Sequence, residues 1–197
     1  MCGIAGILTK KQAIKKDEQV LLHHINKMTD ALSHRGPDGA GHWIDDNACV
    51  VLGHRRLAII DLSDAAAQPM HYAVFSSLGS EHHRYTITYN GEIYNYVELR
   101  AELQSYGYRF KSRSDTEVIL AAFDCWEEDC LQKLEGMFAF AIWDARKQQL
   151  FCARDRFGEK PFYYFFDGEQ LVFASEMKAL WASGIKKEID HTMLLNY

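Results

Sequence analysis

The chain enters its fold at once. Ile4 to Leu8 form an unbroken apolar run, and such a run reads as a buried strand. A strand buried this early holds the terminus rigidly, so whatever precedes it sits at a fixed place. What precedes it is Met1-Cys2-Gly3. Cys2 is small enough for Met1 to be removed, which leaves a thiol beside a free α-amino group. That amine is a weak base near neutral pH and can accept the thiol proton. One residue then supplies both nucleophile and base, although an ordinary buried cysteine at a chain start reads the same way.

The remaining segments group rather than alternate. Residues 17–33 carry Val20, Leu21, Leu22, Ile25, Met28 and Leu32 at helical spacing and stop in the turn-rich loop His34–Gly39. Short strands are expected at 41–44 and near 48–54, with Arg55 to Ile60 continuing extended and a loop over 65–69. Residues 72–78 and 84–89 read as a hairpin, and Asn90-Gly91-Glu92 as a turn signal after it. Helices are expected over 95–106, closed by Gly107, and from Ser114 to about 127, where Ser114 and Glu117 form a capping box. A short helix follows near 129–134. Then come β-prone segments at 138–143, 149–153, 161–166 and 170–173, a helix from Ser175 to about Ser183, and the start of another from His191. About eight strands in two runs, with helices between and after them, predict an α+β fold of stacked sheets rather than a βαβ alternation. The abrupt end at Tyr197 predicts a chain that naturally continues, or a domain cut from one.

Composition narrows the function by exclusion. A formal net charge of −5, with scattered basic residues, offers no electrostatic footprint for nucleic acid or an anionic membrane. No apolar run is long enough to span a bilayer, and the N-terminus lacks a signal peptide's charged and extended apolar regions. Five cysteines, an odd number without a dense framework, argue for a reducing compartment and a cytoplasmic location. No CxxC or HExxH spacing occurs, so no metal site is expected. No GxGxxG or GxxxxGK[ST] loop occurs, so nothing here can be assigned to ATP.

If Cys2 attacks an acyl carbon, the tetrahedral oxyanion needs donors, typically a side-chain amide and a peptide N–H. Asn90-Gly91 offers that pair, though Asn-Gly also makes hairpin turns. Arg56 could hold a substrate carboxylate bidentately, or lie on the surface. Glu92 and Asp115 could hold an ammonium. Their plainer readings are a solvated turn residue and an acid favoured at a helix N-terminus. His34 and Asp38 suit a turn or cap. A Cys/His dyad using His54 or His34 is not selected by anything local.

Taken in order, the motifs resemble one family. They are Met-Cys-Gly-Ile-Ala-Gly, His34-Arg35-Gly36-Pro37-Asp38, Gly53 to Asp61, Gln68-Pro69-Met70, Tyr89 to Asn95, Ser114-Asp115-Thr116-Glu117, Gly136 to Ala141 and Arg154 to Pro161. Over essentially all 197 residues the chain resembles the glutaminase domain of glutamine-hydrolysing asparagine synthetases, class II (N-terminal-nucleophile) glutamine amidotransferases. The resemblance implies a four-layer αββα sandwich of two mainly antiparallel sheets flanked by helices. It implies that Cys2, freed of Met1, attacks the side-chain amide of L-glutamine, with Asn90 and Gly91 as oxyanion hole. Arg56 would bind the α-carboxylate, Glu92 and Asp115 the α-ammonium, and Leu57, Ala58, Ile59 and Ile60 would line the pocket.

There is one large departure. Family enzymes continue into a synthetase domain with a Ser-Gly-Gly-x-Asp-Ser signature, which is absent here. No cofactor is therefore expected in this chain, and ATP and Mg belong to a synthetase domain on the same full-length chain or on another. Truncation would expose apolar surface that normally faces that domain. A homodimer is also within the family's range, whereas nucleic acid and membrane partners are not expected. If Met1 stays, the α-amino group is not on Cys2 and little activity is expected. Competing readings are a related amidotransferase with a sugar or peptide-like acceptor, a non-catalytic regulatory or interaction domain, and, more remotely, a cysteine protease with a histidine base. Retention of Cys2, Arg56, Asn90, Gly91, Glu92 and Asp115 argues against the non-catalytic reading.

Overall fold

Two antiparallel sheets stack face to face, and each carries helices on its outer side. The structure, a computed structural model, describes residues 1–10, 18–46, 49–75 and 81–189, with the side chains of 74, 75, 81 and 82 left out. Expectations for Asp17, the strand start at 48, the loop after 75 and the helix from His191 lie outside the described residues.

In chain order the elements are β1 (Gly3–Thr9), α1 (Glu18–Ala31), β2 (Gly39–Ile44), β3 (Val50–Arg56), β4 (Met70–Phe75), β5 (Glu81–Ile93), α2 (Tyr96–Ser105), α3 (Asp115–Trp126), β6 (Gly136–Asp144), β7 (Gln149–Arg154), β8 (Tyr163–Phe166), β9 (Gln170–Ala174) and α4 (Met177–Ala182). One sheet has the order β2-β3-β1-β9-β8 and the other β4-β5-β6-β7. The first strand of the chain is thus central, paired with β3 through Gly3↔Arg55 and with β9 through Ala5↔Ala174.

The two-residue period of each strand sorts side chains into layers. From β1, Ile4 enters the layer between the sheets, and Ala5 and Ile7 face α1 and α4. From β6, Ala139, Ala141 and Trp143 enter the same middle layer, while Phe138, Phe140 and Ile142 pack under α2 and α3. The result is the αββα order that the resemblance implies. Close packing shows at Gly6, where an added Cβ would lie 2.3 Å from Phe173 Cζ. No helix among the described residues is long and apolar enough to cross a membrane.

The structure corrects four local expectations. Asn90-Gly91-Glu92 is not a turn: β5 runs on to Ile93, because β6 pairs with it through Asn90↔Ala139 and Gly91↔Phe138. Pairing over the full strand overrides the turn preference of Asn-Gly. The extended run ends at Arg56, and the segment after it coils around Asp61, whose carboxylate accepts from Ser63 N (2.9 Å), Ser63 Oγ (2.6 Å) and Arg113 N (2.9 Å). Ser114 caps α3 by accepting from Thr116 N at 3.0 Å, but Glu117 does not close a box. Its carboxylate instead takes Lys111 N, Ser112 N and Ser112 Oγ at 2.7–2.8 Å. Residues Glu127–Gln132 form a 3-10 helix in place of the short helix expected near 129–134.

Candidate active site

The ends of β1, β3, β5 and α3 meet around a cavity of about 190 Å³. Cys2, Arg56, Leu57 to Ile60, Asn90, Gly91, Glu92 and Asp115 all line it. The structure therefore gathers into one place every site residue picked from the sequence. A larger cavity, of about 550 Å³, lies elsewhere, against His71, His83, Tyr106 and Tyr108, and among the described residues no cysteine or serine lines it.

Cys2 is held from three sides. Its carbonyl accepts from Arg35 Nε at 2.9 Å, and Arg35 is anchored in turn by Glu176 at 2.9 Å. Its Sγ accepts from Leu57 N at 3.3 Å and donates to Leu57 O at 3.5 Å. Two residues on, β1 is pinned where Ile4 N donates to Ser175 Oγ at 2.9 Å. Burial pushes the thiol pKa up, against the opposing pull of the Leu57 N–H, the chain terminus and Arg56. Cys2 is thus a neutral thiol that needs a base before it can attack.

Neither histidine supplies one. His54 Nε2 donates to Tyr89 O at 3.1 Å, and His34 Nε2 bonds Glu176 at 2.9 Å. His54 is fully buried, its Nδ1 has no partner, and burial lowers its pKa to about 4. It therefore stays neutral at physiological pH. In the unfolded chain this group titrates near its ordinary 6.5. Between those values the unfolded state holds more protons, so stability falls as pH drops through the window. The expected loss is about 3 kcal/mol. Urea midpoints on either side of the window check it: a His54→Gln variant should show a flatter pH dependence than the parent chain.

Asn90 is 1% exposed, and among the described residues its Nδ2 has no partner. A buried amide donor left unpaired costs about 1–3 kcal/mol, so it suits a site where a ligand oxygen completes it. Gly91 sits where β5 and β6 nearly touch: an added Cβ would lie 2.3 Å from Met137 O. Glycine is the residue that keeps this backbone free to face the cavity.

Asp115 is the first residue of α3 and is 4% exposed. It accepts from Tyr89 OH at 2.7 Å and Ile93 N at 3.1 Å. Burial raises its pKa, and those two bonds oppose the rise. Glu92 lines the cavity half-buried. Arg56 Nη2 donates to Asp61 O at 2.5 Å and Ser63 O at 2.9 Å, so one arm of the guanidinium is spent fixing the loop. Asp38 buttresses the same loop, accepting from Ala58 N at 2.9 Å.

With this geometry in hand, the likeness to known proteins is informative. A model of the glutamine amidotransferase domain matches residues 1–197. The chain belongs to the glutamine amidotransferase domain family. It is 43% identical over 195 residues to glutamine-hydrolyzing asparagine synthetase 3 of Bacillus subtilis, covering 98% of this chain and 30% of that protein. It is 42% identical over 190 residues to a putative asparagine synthetase of Methanocaldococcus jannaschii, covering 92% of this chain and 35% of that one. The chain therefore spans about a third of the length of these curated relatives. The fold also superposes on glutamine phosphoribosylpyrophosphate amidotransferase from B. subtilis with a TM-score of 0.72 at 23% identity, covering 93% of this chain and 44% of that one.

Several residues around this amidotransferase site escape a sequence reading. Arg35, Ser175 and Glu176 hold Cys2 and β1 but lie 33 to 171 residues from their partners. Asp155 gathers the peptide N–H groups of Phe138, Phe157, Glu159 and Lys160. It thereby folds the Arg154–Pro161 motif around the cavity rim. The available signal was the motif itself, which had no chemistry attached.

Proposed function

We propose that this chain hydrolyses L-glutamine to glutamate and ammonia through a thioester on Cys2. With Met1 removed, the α-amino group of Cys2 takes the thiol proton as sulfur attacks the side-chain amide carbon. The oxyanion is met by Asn90 Nδ2–H and the Gly91 N–H. The protonated amine gives its proton to the departing ammonia. Water then opens the thioester and glutamate leaves. Arg56 binds the substrate α-carboxylate with the arm not committed to the loop, Glu92 and Asp115 bind the α-ammonium, and residues 57–60 form the wall.

The observation that carries this reading is the unpaired amide donor of Asn90, buried in the same small cavity as Cys2. With His54 neutral and His34 engaged by Glu176, the terminal amine is the base this reading needs. Intact mass before and after a glutamine-like electrophile tests it. Loss of one methionine and a single glutamine-protected adduct on Cys2 are expected; retained Met1 or an unprotected adduct sinks the proposal. In the mature chain, Asn90→Ala should lower kcat by about 10²–10³-fold with a smaller change in KM, read as ammonia release.

We further propose that the ammonia serves ATP-dependent amidation of aspartate in a synthetase domain, where ATP and Mg bind. The names of the relatives and the third of their length spanned here support this. So do Phe157, Tyr164 and Phe166, which are 63–90% exposed and offer apolar surface to a partner.

A further inference from the structure

Lysine is rarely buried unless an anion answers it. Lys10, Lys133, Lys147 and Lys178 each meet a glutamate. Lys160 is different. It is 5% exposed and lines the Cys2 cavity, and its Nζ lies 3.3 Å from Met1 Sδ, a weak acceptor. Among the described residues it makes no ion pair.

The placement is built. Lys160 N donates to Asp155 Oδ2 at 3.0 Å, and its carbonyl accepts from Arg154 Nε at 2.6 Å. The backbone is thereby fixed on both sides, and the ammonium reaches the start of the chain. The other charged or titratable groups of this cavity include Asp61, which accepts from Ser63 and Arg113, and Tyr89, which donates to Asp115. Arg35 is paired with Glu176, Arg56 is tied to the loop, and Asp115 is held by Tyr89 and Ile93. His54 is neutral, and Glu92 lies on the wall.

We propose that Lys160 is a positioning residue for the N-terminal base: once Met1 is removed, its ammonium faces the α-amino group of Cys2 and keeps that amine uncharged near neutral pH. This inference rests on Cys2 acting as its own base. Protonating the amine beside a fixed cation would bring two like charges together in a partly dry cavity. The amine therefore waits as free base, takes the thiol proton during attack, and passes it readily to the leaving ammonia.

The test uses the chain after aminopeptidase removal of Met1, checked by mass and labelled with ¹³C-cysteine. The Cα shift of Cys2 is followed against pH in the parent, Lys160→Met and Lys160→Arg. In Lys160→Met the titration midpoint of the amine should rise by about one pH unit, a tenfold change in its equilibrium. Lys160→Arg should stay near the parent. The acidic limb of kcat/KM for glutamine should move with the midpoint. The urea midpoint should not fall, because an apolar side chain replaces an unpaired buried charge. An unmoved amine midpoint in Lys160→Met overturns the proposal, as does a pH-independent drop in kcat with lost stability. Lys160→Gln carries the same comparison if the methionine variant does not fold. A parent chain whose amine titrates as described but which leaves glutamine intact overturns the glutaminase reading and not this one.

Discussion

Replacing Cys2 with alanine is expected to remove glutamine hydrolysis, by at least about 10⁴-fold in kcat, since a double-displacement route has no second nucleophile to fall back on. The fold should hardly notice. Among the described residues Cys2 Sγ makes two long hydrogen bonds, both with Leu57, while Arg35 grips the backbone carbonyl whatever the side chain. The urea midpoint should therefore stay close to that of the parent. Cys2→Ala separates chemistry from binding as well. Asn90, Arg56, Glu92 and Asp115 remain in place, so the variant should still bind glutamine, measurable by calorimetry. Ammonia release at the parental rate would refute the thioester route.

The residues proposed to carry chemistry at this site were legible because each is a residue type with a restricted use. A cysteine behind the initiator methionine, an Asn-Gly pair and an acid at a helix start can be listed without coordinates. Their convergence could not be derived from spacing, and the family resemblance supplied it. Asn90-Gly91 shows the limit well: the local preference is a hairpin turn, and only the pairing of β5 with β6 keeps the pair inside a strand. The supporting residues were hidden for a different reason. Arg35 reaches Cys2, Ser175 reaches Ile4, and Lys160 reaches Met1 across long stretches of sequence. No periodicity records such contacts. The layered fold read through more easily, because the two-residue and helical periods sort apolar side chains by layer.

Phe173→Ala should be a severely damaging change to the fold. The ring is fully buried between the sheets and stacks on Phe162 at 5.1 Å with 10° between planes. Its other side fills the space that Gly6 leaves open. Truncation removes the buried ring and leaves a cavity in a layer made of rigid strands, which cannot collapse far. The expected cost is about 3–5 kcal/mol, a large share of the roughly 5–15 kcal/mol available to a domain. The urea midpoint should fall sharply with little change in slope. The partner position supplies an internal control. Gly6→Ala alone drives a Cβ to 2.3 Å from the ring and should also destabilise. In the Phe173→Ala background the same methyl enters the vacated space, so the two changes should be strongly non-additive. Additive losses would mean that the two strands do not meet as described.

The central place of β1 has a consequence for the order in which this protein is made. β1 leaves the ribosome before the other described strands, yet one of its two neighbours, β9, is the last of them to follow. Until Ala174 and Ser175 emerge, the apolar run from Ile4 has an open edge and Ile4 lacks its side-chain partner. Pairing across such separations is slow compared with local structure. Throughout that interval the start of the chain lacks the Ser175 hydroxyl on Ile4 and the Glu176 anchor of Arg35. On the proposed thioester route, this timing leaves the trimming of Met1 ahead of the closure that gives Cys2 its pocket.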